Sequence, residues 1–235
     1  MDDIKKKLDD LVKNADYLIA NPSTIENLKS RGLPIRSQFI TYKDYLDRIF
    51  KDKRKFANSV IDKFPLLNKG IANSTIEALY EEVRECFLLG IPGASITLAS
   101  ILLELSLKYR LFDERLKSDP KSKWSDLEKR NLSYVIKELF NKKIIDNDDK
   151  LKLNSFDIGV RNNYAHYKIE NMMKDIIIEK LPSINIETGE VIEYHNVKAS
   201  ENQHLWFSGK KVLDKKTIIP VINFCIGWVN KILLY

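Results

Sequence analysis

The chain has 235 residues, is 44% hydrophobic and 31% charged, and carries a formal net charge of +6. That places it among soluble globular proteins, as one large domain or one domain with an appended arm, long enough to bury a core. It excludes a disulfide framework: there are two cysteines, Cys86 and Cys225, both in apolar surroundings that suit buried free thiols in a reducing cytoplasm. The isoelectric point near 9.0 permits a polyanionic partner without requiring one. The densest basic run, Lys51-Asp52-Lys53-Arg54-Lys55, is explained equally well as a solvated helix face.

In chain order, Met1 to Lys7 runs straight into an amphipathic pattern rather than a signal peptide. Residues 2–19 read as a helix, with Ile4, Leu8, Leu11 and Leu18 near helical spacing. Ser23-Thr24-Ile25-Glu26 has the form of a capping box, and Gly32-Leu33-Pro34 stops the short helix it opens. Residues 37–63 read as a helix. Ser74-Thr75-Ile76-Glu77 opens another to about Leu89, stopped by Gly90, and Pro92 suits the first turn of the next, which runs to about Leu116. Ser125-Asp126-Leu127-Glu128 caps a helix expected to continue to about Asn141. A polar break at Asp146-Asn147-Asp148-Asp149 comes next.

Later, residues 184–194 alternate around Thr188-Gly189, a β-hairpin signal. The hairpin is expected within about 183–209, a stretch that carries Tyr194, His195, His204, Trp206 and Phe207. Such aromatics can stack bases, but more often they pin a loop to the core. Thr217 to Tyr235 is apolar, interrupted by Pro220, Asn223, Asn230 and Lys231, and reads as a buried closing helix rather than a membrane span. The pattern predicts an all-α helical bundle, with a helical arm over 1–63 and a main domain over 64–235 that contains the hairpin.

Most catalytic motifs are missing. The cysteines are far apart and near no histidine at zinc-ligand spacing. Asp146-Asn147-Asp148 begins like a calcium loop, but Leu151 stands where the sixth-position glycine is required. There is no phosphate-binding glycine loop, no nucleophile elbow and no DNA-reading motif. No metal and no cofactor is expected.

One stretch carries chemistry: Arg161-Asn162-Asn163-Tyr164-Ala165-His166. The guanidinium offers a fixed fork of donors to phosphate oxygens, and a histidine can carry a proton at neutral pH. On a helix Asn162 and His166 share a face. Arg161 and His166 stand roughly 140° apart on a straight helix. They converge only if Arg161 lies in a loosened turn, which Gly159 permits, or if a second copy supplies the partner. Tyr164 and Tyr167 are expected to face the core with Val160 at helical spacing.

The form Arg-Asn-x-x-x-His resembles the signature of the HEPN superfamily, Arg-x(4–6)-His with Asn most often directly after the Arg. The apolar, small-residue-rich run from Pro92 to Leu105 looks like that family's long second helix, with Glu104 matching the acid that many members place near the Arg/His pair. The resemblance covers about residues 74–180. The subset with a tyrosine two residues after the histidine is not matched: Lys168 stands there and Tyr167 is adjacent.

The resemblance implies a metal-independent endoribonuclease of antiviral defence or of a toxin–antitoxin pair, cytoplasmic and dimeric, with RNA as substrate and an antitoxin or defence-system protein as partner. His166 would act as acid or base, Arg161 would stabilise charge on phosphorus, Asn162 would orient either group, and Glu104 would set their geometry. Asn163 and Tyr167 are weaker candidates for substrate contact. The competing expectation is a non-catalytic dimerisation, ligand- or partner-binding module, and some members of the family are of that kind; a third is a nucleotide-binding accessory subunit in which Arg161 holds a phosphate and nothing is cleaved.

Overall fold

The computed structural model describes Ser30 and residues 42–71, 73–184, 191–201 and 203–234. The helices expected over 2–19 and from Ser23, all but Ser30 of the latter, lie outside them, as does the Thr188-Gly189 turn. The fold is all-α, with a two-stranded hairpin before the last helix. The chain divides into two compact units, residues 1–49 with 178–197, and residues 50–177 with 198–235.

Helix α1 (Tyr42–Val60) runs on into a 3-10 turn at Ile61–Lys63. α2 (Ser74–Leu88) starts one residue earlier than the capping box predicts. Asn73 is the cap, its side-chain oxygen accepting from the Thr75 and Ile76 amides at 3.1 Å each. Gly90 then takes φ +63, where Phe56 already lies 3.3 Å from the position of a Cβ, so both conformation and space favour glycine. Lys53 donates to the Leu89 carbonyl at the same corner.

The central element is α3 (Pro92–Ser118), with Pro92 in its first turn as expected. It packs against α2 on one side and the last helix on the other. Its buried face pairs large residues (Ile96, Leu103, Leu107) with small ones (Ala99, Ser95, Ser106). The Ser95 hydroxyl donates across to the Val83 carbonyl at 3.1 Å, so α2 and α3 approach closely without an unpaired hydroxyl.

The single helix expected over 125–141 is two. α4 (Trp124–Glu128) ends after one turn, and Asn131 caps α5 (Leu132–Asn141), accepting from the Tyr134 amide at 2.9 Å. A good cap in mid-segment won over continuous helix, and Trp124 is held on Tyr109 with ring centroids 4.8 Å apart. The tetrapeptide 146–149 is likewise a helix start rather than a break. Asp146 caps α6 (Asn147–Phe156), and the chain reverses earlier, at Lys142–Ile145.

After α6 come the motif segment, a short α8 (Ile169–Met173), strands β1 (Ile177–Ile184) and β2 (Val191–Lys198), and the closing helix, α9 (Trp206–Leu233). The hairpin begins six residues before the expected 183, and Trp206 belongs to α9. Within the hairpin Glu193 faces Lys180 at 3.6 Å and His195 at 3.1 Å. Tyr194 is half-exposed.

By length and composition α9 could cross a membrane over 209–233. Its apolar face, with Ile222, Ile226 and Val229, is instead buried in the bundle beside α3, as expected for a closing helix. Lys231 secures its end, donating to both oxygens of buried Asp149 at 2.7 Å each.

Candidate functional site

The helix that starts at Asn147 does not reach the motif as a regular α-helix. Residues Asp157–Arg161 form a π turn, in which the Asn162 amide bonds to the Asp157 carbonyl five residues back. One further α turn, α7 (Asn162–Ala165), continues the chain. A π turn carries an extra residue and re-phases the residues after it by about 100°, and such turns occur often at functional sites. The expected loosening is therefore present, directly before Asn162. Gly159 sits within it, yet a Cβ there would meet nothing within 4 Å.

Arg161 leaves the end of this turn towards α3. Its Nη2 donates to Glu104 Oε2 at 2.8 Å, and its Nη1 to Asn162 Oδ1 at 2.8 Å. Three residues read from sequence are thus brought together across 57 positions of chain. A fourth was missed: Lys108, one turn after Glu104, places its Nζ 2.8 Å from Glu104 Oε1 and also donates to the Glu128 carbonyl. Its i,i+4 spacing from Glu104 was the available signal.

The electrostatics reflect this count. One carboxylate, 14% exposed, serves two cations, so the cluster keeps a net positive charge in a half-enclosed place. A guanidinium has five N–H donors, and the two contacts above engage two of them. The remaining donors and the uncompensated charge suit an anionic ligand.

His166 lies at the other end of α7. Its amide closes the last turn on the Asn162 carbonyl at 3.3 Å, while its ring is exposed and has no hydrogen-bond or ion-pair partner among the described residues. The structure does not join it to Arg161 by a hydrogen bond.

Asn163 donates to the Gly159 carbonyl at 2.8 Å, bracing the π turn. Tyr167 is 61% exposed, against the expectation that it shares the core with Tyr164. The helix stops at Ala165 and Tyr167 takes φ +48, so helical phase no longer governs it.

Tyr164 does face the core, into a second cluster that the sequence did not suggest. Its hydroxyl donates to Asp214 Oδ1 at 2.7 Å, and Lys210 Nζ lies 2.5 Å from Asp214 Oδ2. Burial first, and then the bond to Asp214, push the Tyr164 phenol well above its ordinary range. Lys210 also lies over the rings of Tyr164 and Tyr167, at 5.2 and 5.8 Å, and within 2.9 Å of where a Cβ on Gly93 would stand. The α3 and α9 starts are thereby tied to the turn that carries His166. The i,i+4 spacing of Lys210 and Asp214 was legible, but their link to Tyr164 was not.

Among the described residues no group of three or more His, Cys, Asp or Glu could hold a metal. Cys225 is buried and Cys86 half-buried, both free, with burial raising both thiols; Glu85 and Glu82 add to the effect at Cys86. Asp157, at the start of the π turn, accepts from the Ser133 hydroxyl at 2.8 Å. Compared with known protein families, curated proteins and solved structures, the chain matches none.

Proposed function

We propose that the chain is a metal-independent endoribonuclease with a HEPN-like site, acting in the cytoplasm in antiviral defence or as a toxin. The observation that carries this reading is Arg161, held by Glu104 and Asn162 with donors to spare, one short helix away from an exposed histidine. Arg161 binds the scissile phosphate and takes up charge as the phosphorus becomes pentavalent. His166 accepts the proton of the ribose 2′-hydroxyl as the 2′-oxygen attacks phosphorus, and an imidazolium delivers a proton to the departing 5′-oxygen. The products are a 2′,3′-cyclic phosphate and a 5′-hydroxyl. A second copy of the chain lets two histidines divide the roles of base and acid, which suits the lack of a bond between Arg161 and His166 within one chain.

A non-catalytic partner-binding module is the second reading. It is favoured by a shallow, largely open apolar surface beside the motif, formed by Leu151, Phe156, Val160, Pro220, Val221 and Phe224. The stacked rings of Phe156 and Phe224, 4.8 Å apart, are among the side chains that line it.

Incubating labelled total RNA and tRNA in EDTA with wild type and His166→Ala separates the two. Cleavage by wild type alone, with cyclic-phosphate ends, supports the nuclease. No cleavage by either folded protein, together with loss of assembly on mutating Phe224, supports the module.

A further inference from the structure

Arg110 and Glu114 lie about 9 and 15 Å further along α3 than Glu104, at ~1.5 Å of rise per residue. There a second concavity, of about 370 Å³, opens between α3, the turn after α5 and the end of α9. We propose that this cleft binds a phosphate-bearing small molecule of about nucleotide size, at a site separate from Arg161.

Among the described residues four cations line it, Arg110, Lys142, Lys143 and Lys231, against one carboxylate, Glu114. The carboxylates at hand are already engaged. Glu114 receives Lys117 at 2.7 Å and Arg110 at 2.9 Å, and Asp149 takes Lys231. Lys142 and Lys143 are exposed and form no ion pair among the described residues. With Lys231 paired to Asp149 and Arg110 to Glu114, the excess positive charge of the cleft comes from the neighbouring Lys142 and Lys143. Phosphate is the anion whose several oxygens and charge can take two neighbouring lysines at once. The volume lies within the range of small-molecule sites.

The backbone supplies a second, independent observation. α5 ends with the Lys143 amide on the Phe140 carbonyl at 2.9 Å and the Ile144 amide on the Leu139 carbonyl at 3.0 Å. In that ending the residue at Lys143 must be left-handed, and it is, at φ +57. Glycine is the ordinary occupant of such a position. The negative end of α5 accounts for a lysine at 142. It does not account for a lysine at 143, where a side chain carries a conformational cost. A left-handed non-glycine residue at an exposed position points to use of its side chain.

Isothermal titration at low salt with inorganic pyrophosphate and with AMP tests the proposal. Wild type is expected to bind at least one of them saturably. Lys143→Gly, which relieves the backbone while removing the charge, should melt no lower than wild type and bind at least about tenfold more weakly. Adding Lys142→Glu should abolish binding, and Arg161→Ala should retain it. Unchanged affinity in Lys143→Gly overturns the proposal. So does the absence of saturable binding of either probe by wild type, or a short single-stranded RNA being the only ligand whose binding needs the two lysines.

Discussion

Arg161 and Lys231 invite comparison, since each is a cation presented to a carboxylate on another helix. Lys231 places two bonds on the two oxygens of Asp149 and its charge is cancelled. Arg161 shares Glu104 with Lys108, so one positive charge is left over, and the flat guanidinium keeps donors free. The first pair is a brace between α6 and α9. The second is an unfinished arrangement that an anion can complete. The charge left after pairing is what sets the two arrangements apart.

The largest expected effect bears on activity. Arg161→Ala and His166→Ala should each lower RNA cleavage in EDTA by about 10²-fold or more, while Lys231→Ala should leave the single-turnover rate within about threefold. Equal losses in Arg161→Ala and Lys231→Ala would break the comparison. Next comes stability in urea. Glu104→Gln strands buried Lys108 beside part-buried Arg161 and should cost about 3 kcal/mol, whereas Asp149→Asn frees a lysine that can reach water and should cost about 1 kcal/mol.

Tyr164→Phe should rank third at about 1–2 kcal/mol, because it removes a buried hydroxyl from Asp214. Its sign with pH is fixed by the raised phenol. Folding favours the protonated form, so the contribution is complete below the ordinary tyrosine range near 10 and is lost as pH climbs towards the higher folded value. The gap between wild type and Tyr164→Phe should therefore narrow in alkali when urea melts are run from pH 8 to 11. Smallest is the cap: Asn73→Ala should cost about 1 kcal/mol and Ser74→Ala only a few tenths, read from thermal melts.

Much of the helical order was legible because helical periodicity, Gly90 and Pro92 act locally, although the capping boxes at Ser74 and Ser125 do not supply the caps: Asn73 caps α2, and α4 starts at Trp124 with no side-chain cap. The Glu104–Arg161 pairing was legible only through a motif resemblance, since no local rule joins residues 57 apart. What escaped was set by competition or by assembly. Asn131 outcompeted helix continuity within 125–141. The π turn has no period of its own in the sequence. Tyr167 left the helical phase on which its expected burial depended. The lysine cleft is built from three distant segments, each unremarkable alone, and Lys210 with Asp214 gains meaning only when Tyr164 arrives between them.

The open space around Gly159 has a consequence for how tunable the site is. Its φ lies outside the left-handed region and no atom crowds the place of a Cβ, so the π turn does not depend on glycine. An alanine there removes freedom from the unfolded chain without displacing a neighbour, a change generally worth about 0.4–1 kcal/mol in favour of the folded state. Amide exchange across Asp157–Asn162 should slow in Gly159→Ala. The stiffness of the segment that aims Arg161 is then adjustable from a position that touches neither Arg161, Glu104 nor His166.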